Sequence, residues 1–255
     1  MTPRYLYTSD VAKAVGAHPN TVRLYEKWGF LPPLPRSPGG YRLFSQAHLD
    51  QMRLAWTALH GPWPGRTIKR SALTLVRRAA AGDLGGALEQ AYHHRALVQA
   101  ERAQAEAAAE LLERWAQGRA ADATAEPLQI KQAAHLLGVS ADVLRNWERN
   151  GLICVPRHPR NRYRLYGAEE IGRLRVVRML SRAGYSTMAI LRMLLQFDQG
   201  RREGLREALD EPRSDEDFYS AADRWLSALV EQEQRAATMI ALLEEMICKQ
   251  SPTPF

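Results

Sequence analysis

Two cysteines in 255 residues, Cys154 and Cys248, are too few and too far apart for a disulfide framework or a four-thiolate zinc site within one chain. No apolar run reaches the roughly 18 residues that a membrane-spanning helix needs. The opening Met1-Thr-Pro-Arg-Tyr5 also lacks the basic-then-apolar order of a secretory signal. A cytoplasmic protein without a membrane partner is therefore expected. The chain has no phosphate-cradling glycine loop, no nucleophile-elbow serine and no pair of metal ligands at helical spacing, so neither an enzyme nor a cofactor is expected. With 45% hydrophobic and 25% charged residues, 17 Gly and 14 Pro, disordered and collagen-like classes are excluded. The length suits one large or two small globular domains.

Positive charge is abundant, and it is unevenly placed. The chain carries +7 overall. Residues 1–76 hold 10 Lys or Arg against 3 Asp or Glu, and residues 128–195 hold 12 against 4. The intervening and C-terminal segments are neutral to acidic, so the positive charge forms two separate blocks. Such a distribution favours a polyanionic partner.

The two basic blocks are copies of one another. An offset of 122 residues aligns Leu6–Arg53 with Leu128–Arg175 without a gap. Ten positions are identical, among them Gly16/Gly138, Arg23/Arg145, Glu26/Glu148, Gly29/Gly151, Tyr41/Tyr163 and Arg42/Arg164. Others keep their type, as in Val22/Leu144, Tyr25/Trp147 and Phe44/Tyr166. Each copy opens with a short helix, Ser9–Val15 or Lys131–Leu137, whose apolar residues recur at helical spacing. Gly16 or Gly138 then supplies a turn. A second helix follows, begun by Pro19 in one copy and capped by Ser140 in the other, and ends near Gly29 or Gly151. Two short helices joined by a tight turn form a helix-turn-helix, whose second helix can enter a major groove.

A Pro- and Arg-rich stretch follows each pair, Pro32–Phe44 and Val155–Tyr166, too broken for a helix and ending in an extended segment. It reads as a small β-wing. In the second copy Arg157, Arg160, Arg162 and Arg164 fall within eight residues, a density suited to a strand pair lying along phosphates.

These residues carry a resemblance to the DNA-binding domain of the MerR family of bacterial transcription regulators. The family pattern is Thr-Ile-Arg-Tyr-Tyr-Glu on the recognition helix, then Gly-Leu, then a wing with Gly-Tyr-Arg-x-Tyr. The first copy reads Thr21-Val-Arg-Leu-Tyr-Glu26, Gly29-Phe-Leu31 and Gly40-Tyr-Arg-Leu-Phe44. The second reads Val143-Leu-Arg-Asn-Trp-Glu148, Gly151-Leu-Ile153 and Arg162-Tyr-Arg-Leu-Tyr166, with Arg162 in place of the wing glycine. The resemblance implies two further helices after each wing. Ser45–His60 and Arg66–Ala80, or Ala168–Arg182 and Thr187–Phe197, fit them. Gly184-Tyr-Ser186 matches the family's Gly-Phe-Ser junction, and Gly61-Pro-Trp-Pro-Gly65 departs from it.

Two long helices complete the reading. Leu84–Gln117 is Ala-, Glu- and Gln-rich without proline and would span roughly 51 Å. Its seam, Leu84, Leu88, Ala91, Val98, Ala105, Ala109 and Leu112, is interrupted by Arg95 and Arg102. The C-terminal helix has a clearer one: Phe218, Ala222, Trp225, Leu229, Gln232, Ala236, Met239, Leu243 and Met246 alternate by four and three. In the family, one such helix per subunit pairs antiparallel with its partner's. Here both lie in one chain, which reads as a covalent pseudo-dimer; pairing between chains into a four-domain assembly is the alternative. The expected fold is mainly α, with two winged helix-turn-helix domains, each followed by a long helix, and the two helices in an antiparallel coiled coil. The expected boundaries are 1–80 for the first domain, 81–118 for its helix and 119–127 for a linker. The second domain takes 128–198, with a linker at 199–215, the second helix at 216–250 and a tail at 251–255.

The implied function is sequence-specific regulation of transcription on double-stranded DNA, on an asymmetric promoter of two half-sites. DNA distortion would bring RNA polymerase onto the promoter, and the protein would sit on the nucleoid. An architectural or recombination accessory protein, and a helix-mediated protein–protein adaptor, are the alternatives. Arg23 and Arg145 are the expected base or phosphate contacts, with Asn20, Thr21, Lys27, Asp142, Asn146 and Arg149 beside them on the recognition helices. Tyr25, Tyr41, Arg42, Tyr163 and Arg164 are expected at phosphates, together with Arg36, Lys131, Arg157, Arg160 and Arg162. Tyr25 and Trp147 read equally as core aromatics, and Glu26 and Glu148 as braces for nearby arginines. Cys154 and Cys248 are expected to be buried. His93 and His94, on different helix faces, are not expected to share a metal ion. Trp115, Phe218, Tyr219 and Trp225 are expected to pack between the long helices.

Overall fold

The computed structural model describes residues 5–61, 63, 65–118, 126–211 and 224–250. Among these, eleven helices alternate with loops and isolated β-bridges. They form two compact units, one of residues 1–99 with 230–255 and the other of residues 100–229. The division cuts both long helices rather than following the expected domain boundaries.

In the first unit, α1 (Thr8–Val15) and α2 (Pro19–Lys27) form the helix pair. Gly16 caps α1 at φ +68°, a left-handed conformation that costs a residue without Cβ nothing. Pro19 begins α2, where its missing N–H leaves no bond unmade. Then come α3 (Gln46–Leu59) and α4 (Arg66–Ala80), as the sequence leads one to expect. The Ser45 side chain caps α3 by accepting from the His48 amide. The core joins Val11, Val22, Tyr25, Phe44, Met52, Leu75 and Val76, all nearly inaccessible to solvent. Pro62 and Pro64, which set the α3–α4 junction apart from the family pattern, lie outside the described residues.

The second unit repeats this plan with α6 (Ile130–Leu137), α7 (Ala141–Arg149), α8 (Ala168–Arg182) and α9 (Thr187–Asp198). Ser140 caps α7 and Ser186 caps α9, each accepting from a backbone amide three residues on. Gly184, at φ +98°, joins α8 to α9, and a Cβ there would lie 2.5 Å from the Trp225 ring. The position therefore excludes a side chain on two grounds. The segment 199–215, expected as a linker, contains a further helix, α10 (Leu205–Asp210), with Leu205 and Leu209 buried. Residues 212–215 of that segment lie outside the described residues, as do 119–125 of the other linker and the 251–255 tail.

The long helices are α5 (Leu84–Ala116) and α11 (Trp225–Gln250). Residues 216–223 of the expected C-terminal helix, with Phe218, Tyr219 and Ala222, lie outside the described residues. Within the first unit α5 and α11 run antiparallel. Tyr92 Oη donates to Glu244 Oε1 at 3.1 Å and Gln99 Nε2 to Glu233 Oε1 at 2.8 Å, so the higher number on one helix meets the lower on the other. Ala87 and Ala91 join Ala236, Met239 and Leu243 in the core of that unit. The described α11 seam, Trp225 to Met246, is buried at every expected position, including Gln232. In α5 the buried stripe runs through Ala87, Ala91, His94 and Val98 rather than Leu88 and Arg95. In the second unit Trp115 packs against Phe197 of α9 at 4.3 Å between ring centroids.

Both cysteines are exposed, against expectation. Cys154 sits in an extended segment between buried Ile153 and Val155, and strand-like alternation turns it outward. Cys248 lies two residues beyond Met246 on α11, which turns it about 200° away from the buried stripe.

Candidate nucleic-acid interface

The same device positions the wing against the recognition helix in both units. Glu26, at the end of α2, receives Arg42 through Nε and Arg36 through Nη2, the latter at 3.2 Å. Glu148, at the end of α7, receives Arg164 Nε at 2.6 Å and Arg157 Nη2 at 3.3 Å. Each carboxylate is only about a fifth exposed, so screening by water is reduced and the charge-assisted bonds fix the wing on the helix end. The expected bracing role of Glu26 and Glu148 is what the structure displays. Two guanidinium groups against one carboxylate still leave each clasp with a net positive charge.

The clasp also shows where the two copies fall out of register. Arg36 bridges to Arg42 and Arg157 bridges to Arg164, so Arg36 corresponds to Arg157 and not to the residue 122 further on. The bonds from Leu43 N to Pro35 O and from Leu165 N to Pro156 O repeat the same shift. The gapless alignment is thus corrected at the wing: the second copy is one residue shorter before Arg157 and one longer at its tip. Outside that stretch the offset of 122 holds for the bridges Leu6–Phe44 and Leu128–Tyr166.

The recognition-helix residues lie on an exposed face. Asn20, Arg23, Lys27, Asp142, Arg145, Asn146 and Arg149 are exposed and Thr21 is half-buried. Arg23 Nη1 donates to the neutral Asn20 Oδ1 at 2.8 Å. Arg145 Nη1 meets the charged Asp142 Oδ1 at 2.6 Å. Equivalent guanidinium groups are thus held alike by partners of different charge. On the wings, Arg36, Tyr41, Arg157, Arg160, Arg162 and Tyr163 are exposed, and Arg42 and Arg164 half-buried in the clasps. Lys131 is exposed in the first turn of α6.

Of the two readings of Tyr25, the structure displays the core aromatic. It is 6% exposed, with its ring at 5.5 Å from Phe30 in an edge-to-face pair and 6.4 Å from Trp56. Burial raises its hydroxyl pKa. Trp147 is likewise in the core at 8% exposed. Both residues brace the back of the recognition helix.

Sequence reasoning missed two features. An open hollow in the first unit is lined by Tyr7, Thr8 and Ser9 of the α1 start together with Pro19, Arg23, Tyr41 and Arg42. A helix start with its free N–H groups beside two arginines is a natural seat for a phosphate. The signal was available, since Ser9 aligns with Lys131. The second feature is a tie behind each recognition helix, buried in the first copy and partly exposed in the second. Gln51 Nε2 donates to the Phe30 carbonyl at 2.9 Å and the Val76 carbonyl at 3.1 Å. Arg173, its counterpart, donates through Nε to the Leu152 carbonyl at 2.7 Å and pairs with both oxygens of Asp198. The side chains differ, which hid the equivalence.

Among the described residues no group of three His, Cys, Asp or Glu side chains gathers to hold a metal ion, and no helix is long and apolar enough to cross a membrane.

Comparison with known proteins agrees with this geometry. Residues 7–44 match the model of the MerR family regulatory proteins, and residues 128–196 match that of the MerR HTH family regulatory proteins. The mercuric resistance operon regulatory protein of Pseudomonas fluorescens is 28% identical over 123 residues, 48% of this chain and 76% of that protein. The HTH-type transcriptional regulator CueR of Escherichia coli O6:H1 is 44% identical over 46 residues, 18% of this chain and 34% of its own length. A probable heavy metal-dependent transcriptional regulator of Haemophilus influenzae is 32% identical over 75 residues, 29% of this chain and 59% of that one. No solved structure matched the chain. With two separate matches, each falling on one clasped helix and wing, the chain carries two MerR-type helix-turn-helix domains in tandem.

Proposed function

We propose that this DNA-binding transcription regulator works as a covalent pseudo-dimer, each tandem domain reading one half of an asymmetric promoter. The observation that carries the reading is the doubled clasp, Glu26 with Arg36 and Arg42 and Glu148 with Arg157 and Arg164. It holds a basic wing and a polar recognition helix in one fixed relation, which is what simultaneous contact with a groove and its flanking phosphates requires. Two recognition helices with unlike residues at matched positions need unlike half-sites. The antiparallel bonds between α5 and α11 of one chain support an intrachain pairing in place of the subunit interface of a homodimer. The protein would act by binding, not by turnover, on the nucleoid of a cytoplasm. Distortion of the promoter would allow RNA polymerase to engage it, at a deformation cost of a few kcal/mol recovered in protein–DNA contacts.

In this reading Arg23 and Arg145 carry base or adjacent phosphate contacts, with Asn20, Thr21, Lys27, Asp142, Asn146 and Arg149 beside them. Tyr41, Arg42, Tyr163 and Arg164 fix the register at phosphates, aided by Arg36, Arg157 and Lys131. The test is selection of duplexes from a random library with the full chain, followed by binding of half-site variants. Arg23→Ala and Arg145→Ala are each expected to weaken specific binding by about 1–3 kcal/mol, with sensitivity to different half-sites. Loss at the same half-site, or at neither, would overturn the assignment. Light scattering of the complex should give one chain of 28.8 kDa per duplex. Two chains per duplex would move the pairing of the long helices to between molecules.

A further inference from the structure

The two wings end differently, and the difference has a chemical consequence. In the first, Ser37 N bonds Tyr41 O at 2.8 Å and three residues, Pro38-Gly39-Gly40, close the tip. In the second, His158 N bonds Tyr163 O at 2.8 Å and four residues close it, Pro159-Arg160-Asn161-Arg162. The longer tip is well formed. Arg162 N donates to His158 O at 2.9 Å, Arg160 N to His158 Nδ1 at 3.2 Å, and Tyr163 N to Asn161 Oδ1 at 3.1 Å. Arg162 adopts φ +60° and is the one non-glycine residue with positive φ among the described residues; Gly40, at φ +79°, fills the same place in the first copy. A left-handed conformation is unfavourable for arginine, and such strain persists where the surrounding structure holds it in place.

The side chains held this way face solvent without a protein partner among the described residues. Arg160 and Arg162 are exposed and take part in no side-chain hydrogen bond or ion pair among the described residues, whereas Arg157 and Arg164 on the same wing are held by Glu148. Glu148 anchors the base of the wing to the end of α7. With that helix in a major groove, a hairpin anchored at its end would lie over the adjacent phosphates, and the neighbouring minor groove is the next surface beyond them. A narrow minor groove over A·T pairs concentrates negative potential and attracts arginine, whereas the guanine amino group obstructs it.

We propose that the second wing alone, through Arg160 and Arg162, inserts into the minor groove flanking its half-site and selects A·T-rich sequence there. The first tip, Pro38-Gly39-Gly40, has no cationic side chain to insert. This inference rests on the DNA-binding reading above and adds to it a base preference outside the major-groove half-sites.

The experiment uses the full chain and an operator recovered by selection from random duplexes, with fluorescence anisotropy as the readout. The flank beside each half-site is built in turn with A·T, G·C and inosine·C pairs. Inosine keeps the major-groove face of guanine but lacks its minor-groove amino group. Beside the half-site sensitive to Arg145→Ala, A·T and inosine·C flanks should bind alike and a G·C flank about tenfold more weakly. The flank of the other half-site should have no effect. Arg160→Ala/Arg162→Gly should erase the flank preference and leave half-site selectivity intact; glycine suits the left-handed position, so the tip keeps its turn. The proposal is overturned if inosine·C binds as weakly as G·C, if both flanks matter equally, or if the double variant weakens all flanks alike. Half-site selectivity without any flank preference overturns this proposal only, whereas failure to recover a specific duplex overturns the DNA-binding reading with it.

Discussion

His94 offers a direct measurement of how the α5 seam of the first unit is built. Its side chain is 0% exposed and neither ring nitrogen has a hydrogen-bond partner. Burial, with a smaller contribution from the neighbouring His93, lowers its pKa from 6.5 to about 4. The folded protein therefore holds a neutral imidazole where the unfolded chain would take up a proton. Between pH 6.5 and 4 the unfolded state binds more protons, so stability must fall as pH falls through that window and level off below it. At 1.36 kcal/mol per pKa unit, the loss attributable to this one group is about 1.4 kcal/mol at pH 5.5 and about 3 kcal/mol at pH 4. Urea unfolding followed by far-ultraviolet circular dichroism, at pH 7.5, 6.5 and 5.5, should show that slope. Carboxylates in general take up protons in acid as well, so the comparison is with His94→Met, whose flexible side chain suits the apolar seam. The difference between the two proteins should shrink toward low pH in the variant's favour by the amounts above. Parallel pH dependences in the two proteins would refute the argument, since His94 would then titrate alike folded and unfolded.

Two further outcomes are expected. The Tyr166 hydroxyl is buried without a partner, and its counterpart in the first copy is Phe44. Tyr166→Phe should therefore stabilise the second unit by about 1 kcal/mol in urea unfolding, and a loss of stability would show that the hydroxyl is satisfied. On the recognition helices, Asp142 places a carboxylate beside Arg145 where Asn20 leaves Arg23 its full charge. Asp142→Asn should tighten binding to a selected duplex by about threefold to tenfold at 0.1 M salt and steepen its salt dependence. An unchanged salt slope would mean that Asp142 faces away from the phosphates.

The helix-turn-helix pairs and the bracing glutamates were legible because local chemistry dictates them. Pro19, Ser45, Ser140 and Ser186 begin helices for reasons of backbone hydrogen bonding, and the left-handed Gly16 and Gly138 end α1 and α6. Glu26 and Glu148 could be matched to arginines because a recurring acid inside a basic block has few other uses. The wing register was not legible. A deletion before the strand and an insertion at the tip cancel over a few residues, so the aligned string looks continuous while Arg36 pairs as Arg157 does.

Sequence alone determined that this chain is a tandem repeat of one helix-turn-helix plan, because helix starts, turns and heptad spacing are properties of short segments. It also determined the seam of α11, where apolar side chains recur every three or four residues without ambiguity. Tertiary structure decided what such patterns leave degenerate. His94 rather than Arg95 enters the α5 seam, Tyr25 supports the recognition helix from behind, Cys154 and Cys248 face outward, and α10 folds within a segment expected as a linker by burying Leu205, Ala208 and Leu209. Each of these turns on which neighbour is there to cover a side chain. That is a contact between residues distant in the chain, and no local pattern encodes it.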